Sequence, residues 1–156
     1  MKRILVAGAC LLASTVAPVL AQTGATGQAS IVTADKVQWM DAPQFGPGVQ
    51  AATLAGNPAQ REPYVVRLKL PANLAVPPHT HPGTENVTVL SGRLNLGMGE
   101  SFDQTKGQQL GSGSFFTIPA NTPHFAWASE ETVIQIHGMG PSAIKFIESA
   151  SGSSSK

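Results

Sequence analysis

Of the four histidines in this 156-residue chain, two fall within three positions, in the stretch PPHTHPGTENVTVLSG over residues 77–92. Side chains at i and i+2 of an extended chain share a face, so His79 and His81 aim together. Glu85 has the parity of His81 and joins them if the chain stays extended through Pro82, Gly83 and Thr84; Gly83 offers a turn instead. Two imidazoles and a carboxylate on one face begin a transition-metal site. The same residues in a polar loop would point into solvent, and this stretch by itself supports both readings.

A third histidine, His124, follows Gly113-Ser-Phe-Phe-Thr-Ile-Pro119-Ala-Asn121-Thr-Pro, a short β-rich run and a proline turn. The two stretches together resemble the paired motifs of the cupin superfamily, small β-barrels of jelly-roll type. The first motif reads G-x5-H-x-H-x3,4-E-x6-G, and His79, His81, Glu85 and Gly92 stand at its spacing. The second reads G-x5-P-x-G-x2-H-x3-N, and Gly113, Pro119 and His124 match it. Asn73, Asn121 and Ala128 replace a glycine, a glycine and the terminal asparagine. Asparagine tolerates the left-handed backbone that glycine supplies, so the first two replacements keep the turns. The third removes a polar group and no ligand.

The resemblance covers roughly residues 63–138 and implies that His79, His81, Glu85 and His124 bind one divalent transition metal (iron, manganese, nickel, copper or zinc) inside the barrel. Four protein ligands would leave one or two positions for water, substrate or dioxygen. The set is similar to that of quercetin dioxygenases and germin-like enzymes. It implies a metal-dependent oxidoreductase acting on a small phenolic or enolic substrate, with Glu85 also moving a proton. Two alternatives stand beside it: a non-catalytic module that binds or senses a small molecule or metal, and an isomerase or hydrolytic enzyme using the metal as a Lewis acid. A homodimer through sheet contacts is the assembly the resemblance allows.

Other residues near these motifs carry chemistry. Alternation along residues 133–137 puts His137, Gln135 and Val133 on one face, opposite Ile134 and Ile136. If that face is interior, Gln135 and His137 become a proton relay, with His137 a second catalytic candidate beside Glu85; otherwise His137 is a strand-end ring satisfied by backbone or water. Phe115, Phe116, Phe125 and Trp127 either line an aromatic-accepting pocket or belong to the core, and alternation turns Phe125 and Trp127 away from His124. Arg67 either holds an anionic substrate or sits on a solvated strand face. Tyr64 shares this ambiguity and receives no role.

The elements that must position these groups are strands. Residues 64–70 (YVVRLKL) alternate, with Tyr64, Val66, Leu68 and Leu70 on one face and Arg67 and Lys69 on the other. Residues 86–90, 93–96, 114–118, 125–128, 132–137 and 143–147 are further short β-rich runs, separated by glycine and proline turns. Residues 57–63 and 99–111 read as polar loops. No helical period appears after residue 21, which predicts an all-β, antiparallel, single jelly-roll barrel over 31–148 with flexible termini.

Lys2 and Arg3, the apolar run that follows and Val19-Leu20-Ala21 read as a signal peptide cleaved after Ala21, which would place the protein in the periplasm or outside the cell. Residues 22–30 and 149–156 are small and polar, expected to be a flexible N-terminal segment and a disordered tail. The single cysteine, Cys10, would leave with the leader, so no disulfide is expected. Without Lys2 and Arg3, eight basic and nine acidic residues remain, a formal charge of −1. No basic run or patch appears, which argues against a nucleic-acid partner; a small-molecule substrate suits this surface, and no membrane contact is expected after cleavage.

Overall fold

The computed structural model describes residues 29–148; the expected signal peptide, most of the expected flexible segment 22–30 and the expected tail lie outside the described residues. The strands are β1 (Met40–Asp41), β2 (Gln50–Ala55), β3 (Pro63–Leu70), β4 (Ala75–Thr80), β5 (Glu85–Ser91) and β6 (Arg93–Met98), followed by β7 (Gln108–Gly111), β8 (Phe115–Ile118), β9 (His124–Ala128), β10 (Thr132–Met139) and β11 (Lys145–Phe146). Three single-turn 3-10 helices complete the described secondary structure. No helix among the described residues is long and apolar enough to cross a membrane.

All pairings are antiparallel, in two sheets. One has six strands in the order β1-β2-β3-β10-β5-β8, the other five in the order β11-β4-β9-β6-β7. From β3 to β6, and again from β7 to β11, the chain changes sheet at each step, the winding of a jelly roll.

The core lies between the two sheets. Tyr64, Leu68 and Leu70 of β3, Val87 and Val89 of β5, Leu94 of β6, and Ile134 and Ile136 of β10 are buried there. Alternation accounts for this: Arg67 and Lys69 take the opposite face of β3, and Val133, Gln135 and His137 the opposite face of β10. A second apolar cluster covers the back of the five-stranded sheet. Phe125 is completely buried there, with Trp127 and Phe102 at ring-centroid distances of 6.2 and 5.1 Å. The loop over 99–107 closes this cluster, and Gly107 is needed because a Cβ there would overlap the Trp127 ring.

Seven expected strands are present with bounds shifted by a few residues, and the face assignment of β3 holds. Four strands depart from the sequence reading. β2 is built of small residues with weak β signal, and β1 has only two residues. β7 lies inside the polar segment expected to be a loop. β4 carries Pro77 and Pro78, which lack the N–H a ladder needs; its pairing with β9 shifts register between Val76 and His79, so the prolines fall in an irregularity.

The two motif asparagines are the described non-glycine residues with positive φ, Asn73 at 63° and Asn121 at 58°. They take over the left-handed turns where the motif has glycine, as the sequence predicts.

Candidate metal centre

β4 and β9 lie side by side, with His79 directly opposite His124. His81 follows two residues after His79, and all three rings face the space between the sheets. Their ring centroids are 4.2 to 5.2 Å apart. One nitrogen from each comes within 4.8 Å of the others, and all three residues are buried.

Each ring is fixed by its other nitrogen. Nδ1 of His79 lies 2.7 Å from the Pro77 carbonyl, Nδ1 of His81 2.8 Å from the Ala143 carbonyl, and Nδ1 of His124 3.0 Å from the Thr122 carbonyl. A carbonyl only accepts, so Nδ1 carries the proton in all three rings and Nε2 is left as a lone pair. This is the tautomer and anchoring that a metal-binding imidazole requires.

Glu85 arrives by a different path from the one its parity suggested. The chain does not stay extended beyond Thr80: residues 81–84 form a bend, and Glu85 opens β5 in the other sheet. The carboxylate therefore reaches the histidines across the corner between sheets, its Oε2 3.3 Å from Nε2 of His81. Burial pushes the Glu85 carboxyl up to about 7. Burial, reinforced by the neighbouring His124, lowers His79 to about 3, and burial also holds His81 and His124 below the usual histidine range. With Nδ1 of His81 protonated, its Nε2 and the Glu85 oxygen are two acceptors facing each other. Only a proton or a cation between them makes that contact favourable. The three neutral imidazoles converge in a way that fits a divalent transition metal, with the Glu85 carboxylate beside His81 as a fourth candidate donor.

The centre borders a cavity of about 70 Å³ between the sheets. Apart from the four polar residues its walls are aliphatic or aromatic, among them Leu68, Val87, Leu96, Phe116, Ile134 and Ile136. Phe45 and Ile144 also line it. They come from the segments before β2 and after β10; Ile144 falls in the β-rich run expected over 143–147, whereas no sequence signal marks Phe45. The same C-terminal segment supplies the Ala143 carbonyl, and Phe146 of β11 lies edge-on to His79 at 6.0 Å.

Other candidates lie elsewhere. His137 is exposed on the outer face of the six-stranded sheet, its ring stacked on Phe115 at 6.5 Å, so it is not part of this centre. The reason is the alternation of β10, which gives the interior to Ile134 and Ile136. Gln135 is on the same outer face, where its Oε1 accepts from Arg67 Nε at 3.1 Å; neither residue lines the cavity. Phe115, Phe125 and Trp127 do not line it either, whereas Phe116 does. Tyr64 is buried, and burial pushes its hydroxyl above the usual tyrosine range.

Two sheets wound as a jelly roll, with inward histidines on the adjacent strands β4 and β9 and a third just beyond β4, define a cupin. Residues 27–143 match the family model described as ChrR cupin-like domain, and the chain belongs to that family. It is 35% identical over 85 residues to germin-like protein 9-3 of Oryza sativa subsp. japonica, covering 52% of this chain and 39% of that one. The chain thus spans well under half the length of that relative. Among solved structures, the polyketide cyclase RemF of Streptomyces resistomycificus superposes with a TM-score of 0.64 at 17% identity, over 80% of this chain and 89% of that one. The salicylate 1,2-dioxygenase of Pseudaminobacter salicylatoxidans superposes with a TM-score of 0.54 at 16% identity, over 65% and 31%. These likenesses establish the shared fold.

Proposed function

We propose that the protein is an exported metal-dependent oxidoreductase of dioxygenase type, acting on a small phenolic or enolic substrate, with His79, His81, Glu85 and His124 holding one divalent transition metal. The observation that carries this reading is the set of three Nδ1-anchored rings whose Nε2 atoms converge beside a buried carboxyl on the wall of a largely apolar cavity. Likeness in fold to a dioxygenase supports it. When bound, the metal would supply Lewis acidity and, if redox-active, a route to reaction with dioxygen.

The chain's own residues do the rest. The backbone carbonyls of Pro77, Thr122 and Ala143 orient the three rings before any ligand arrives. The largely aliphatic and aromatic walls lower the local polarity, which strengthens electrostatic interactions at the centre. Glu85, whose carboxylate lies against the histidine cluster and borders the cavity, is placed to take a hydroxyl proton from a substrate entering beside it and to return one later.

A Lewis-acid reaction without oxygen is the second reading, supported by the same donor set, which suits zinc equally, and by likeness in fold to a polyketide cyclase. Oxygen uptake separates the two. Protein loaded with iron, manganese, nickel or copper should consume dioxygen when a suitable phenol or enol is added, and zinc-loaded protein should not, because zinc has no redox chemistry. Substrate turnover by the zinc form at the same rate, without oxygen uptake, would overturn the oxidative reading.

A further inference from the structure

A second cavity, of about 370 Å³, abuts the first. Both share Phe45, Leu68, Glu85, Ile136 and Ile144 as walls, so Glu85 is the one polar group common to the two. The larger cavity opens between the segment around Asp41 and Gln44 on one side and Ser142 on the other, with Thr53 of β2 on its exposed rim. It has the size and position of a vestibule for a molecule whose donor end reaches the histidines. The inner cavity alone holds only roughly five waters, at about 10–15 Å³ for each.

The charges along this route have one sign. Among the described residues lining either cavity there is no Lys or Arg, and the acidic side chains are Glu85 and Asp41. Arg67, the strand arginine nearest in sequence, points to the opposite face and donates to Gln135. Lys69, two residues on, lies over the Trp39 ring at 4.6 Å.

We propose that the site selects an uncharged, ring-sized substrate that offers one chelating group to the metal, and rejects analogues carrying a second, free carboxylate. This rests on the metal-centre reading above and adds the substrate class. A bound cation satisfies one anionic donor. A further carboxylate on the body of the substrate would enter a vestibule that has Asp41 at its exposed rim, Glu85 already committed to the metal, and no Lys or Arg among its described lining residues, so its charge would be left without a partner.

The test is binding, read from the visible absorption of the cobalt(II)-loaded protein during titration with catechol, with 3,4-dihydroxybenzoate and with methyl 3,4-dihydroxybenzoate. Catechol and the methyl ester are expected to bind at least about tenfold more tightly than the acid, the size of effect an unpaired charge produces in a partly solvated site. Thr53→Arg, a change on the exposed rim, should shrink the ratio of acid to ester by supplying the missing cation. If the acid binds as tightly as catechol, the inference is wrong while the metal-centre reading stands. If the ester is as weak as the acid, size rather than charge governs entry, and the inference is again overturned. If none of the three perturbs a spectrum that shows cobalt held by the histidines, the site takes no chelating substrate; the proposed function then falls and the inference with it.

Discussion

A histidine ring has one proton to place when neutral, and in this molecule three backbone carbonyls decide where it goes. The consequence is a cluster of lone pairs beside a carboxyl, favourable only with a proton or a cation in the middle. The two kinds of group respond to pH in opposite directions. Glu85 is raised from 4.5 to about 7, so in the metal-free protein its contribution is present below about 4.5 and is lost as pH rises through 7. The histidines are lowered, so theirs is present above 6.5 and is lost as pH falls toward the folded values, about 3 for His79. Metal-free protein should therefore lose thermal stability on acidification below 6.5, where the three histidines outweigh the one carboxyl, while the loss owed to Glu85 develops as pH rises from about 4.5 to 7 and stays in full on the alkaline side. Glu85→Gln should remove the alkaline loss and melt above wild type at pH 8, while binding metal more weakly. A lower melting temperature for Glu85→Gln at pH 8 would show that the carboxyl is stabilised by something other than a bound ion. Metal uptake should release about one proton per ion near pH 6, when Glu85 is mostly protonated, detectable as a buffer-dependent binding enthalpy.

Strands set these residues in place, and the elements carry their own tests. Thr132 at the start of β10 is fully buried; its hydroxyl accepts from the Arg93 N–H at 3.1 Å and lies within donating distance of the Arg93 and Glu130 carbonyls. Thr132→Val keeps the shape and orphans that N–H, at a cost of about 1–3 kcal/mol with metal content unchanged, measurable by denaturant unfolding. On the other sheet, Phe125→Ala should cost about 3–5 kcal/mol by emptying the cluster under the 99–107 loop. Much of this arrangement is legible in the chain. The alternation of 64–70 and 133–137 assigns inner and outer faces, and the spacing of the two motifs names the histidines and Glu85. What is not legible depends on partners distant in sequence. β2 and β7 lack β-rich composition and are strands because β3 and β6 present edges to them. The prolines of β4 argue against a strand locally and are accommodated by a register shift that only the pairing reveals.

Taken whole, the described chain is two sheets closing over a largely apolar space, with the candidate metal centre on its wall and a second cavity beside it. Phe45 ends a single 3-10 turn before β2 and Ile144 stands just before β11, and that both become walls of one cavity follows from the complete fold. His137 shows the limit in the other direction: its residue type suits catalysis, and its place in the alternation of β10 puts it in solvent. Because the four ligand candidates come from both sheets, a bound ion would tie them together. At free metal about a thousandfold above its Kd, binding should add about 4 kcal/mol, raising the melting temperature by roughly 10–15 °C, and a chelator should reverse the change.

The most direct test of the metal centre is the metal content of protein purified without chelators, beside His81→Ala. We expect close to one equivalent of a transition metal in the wild type and about a tenth of that or less in the variant, given that removing a ligand costs more than the ten- to hundredfold seen for supporting residues. A variant that keeps its metal, or a wild type that takes up none after careful reloading, would contradict the assignment of these histidines.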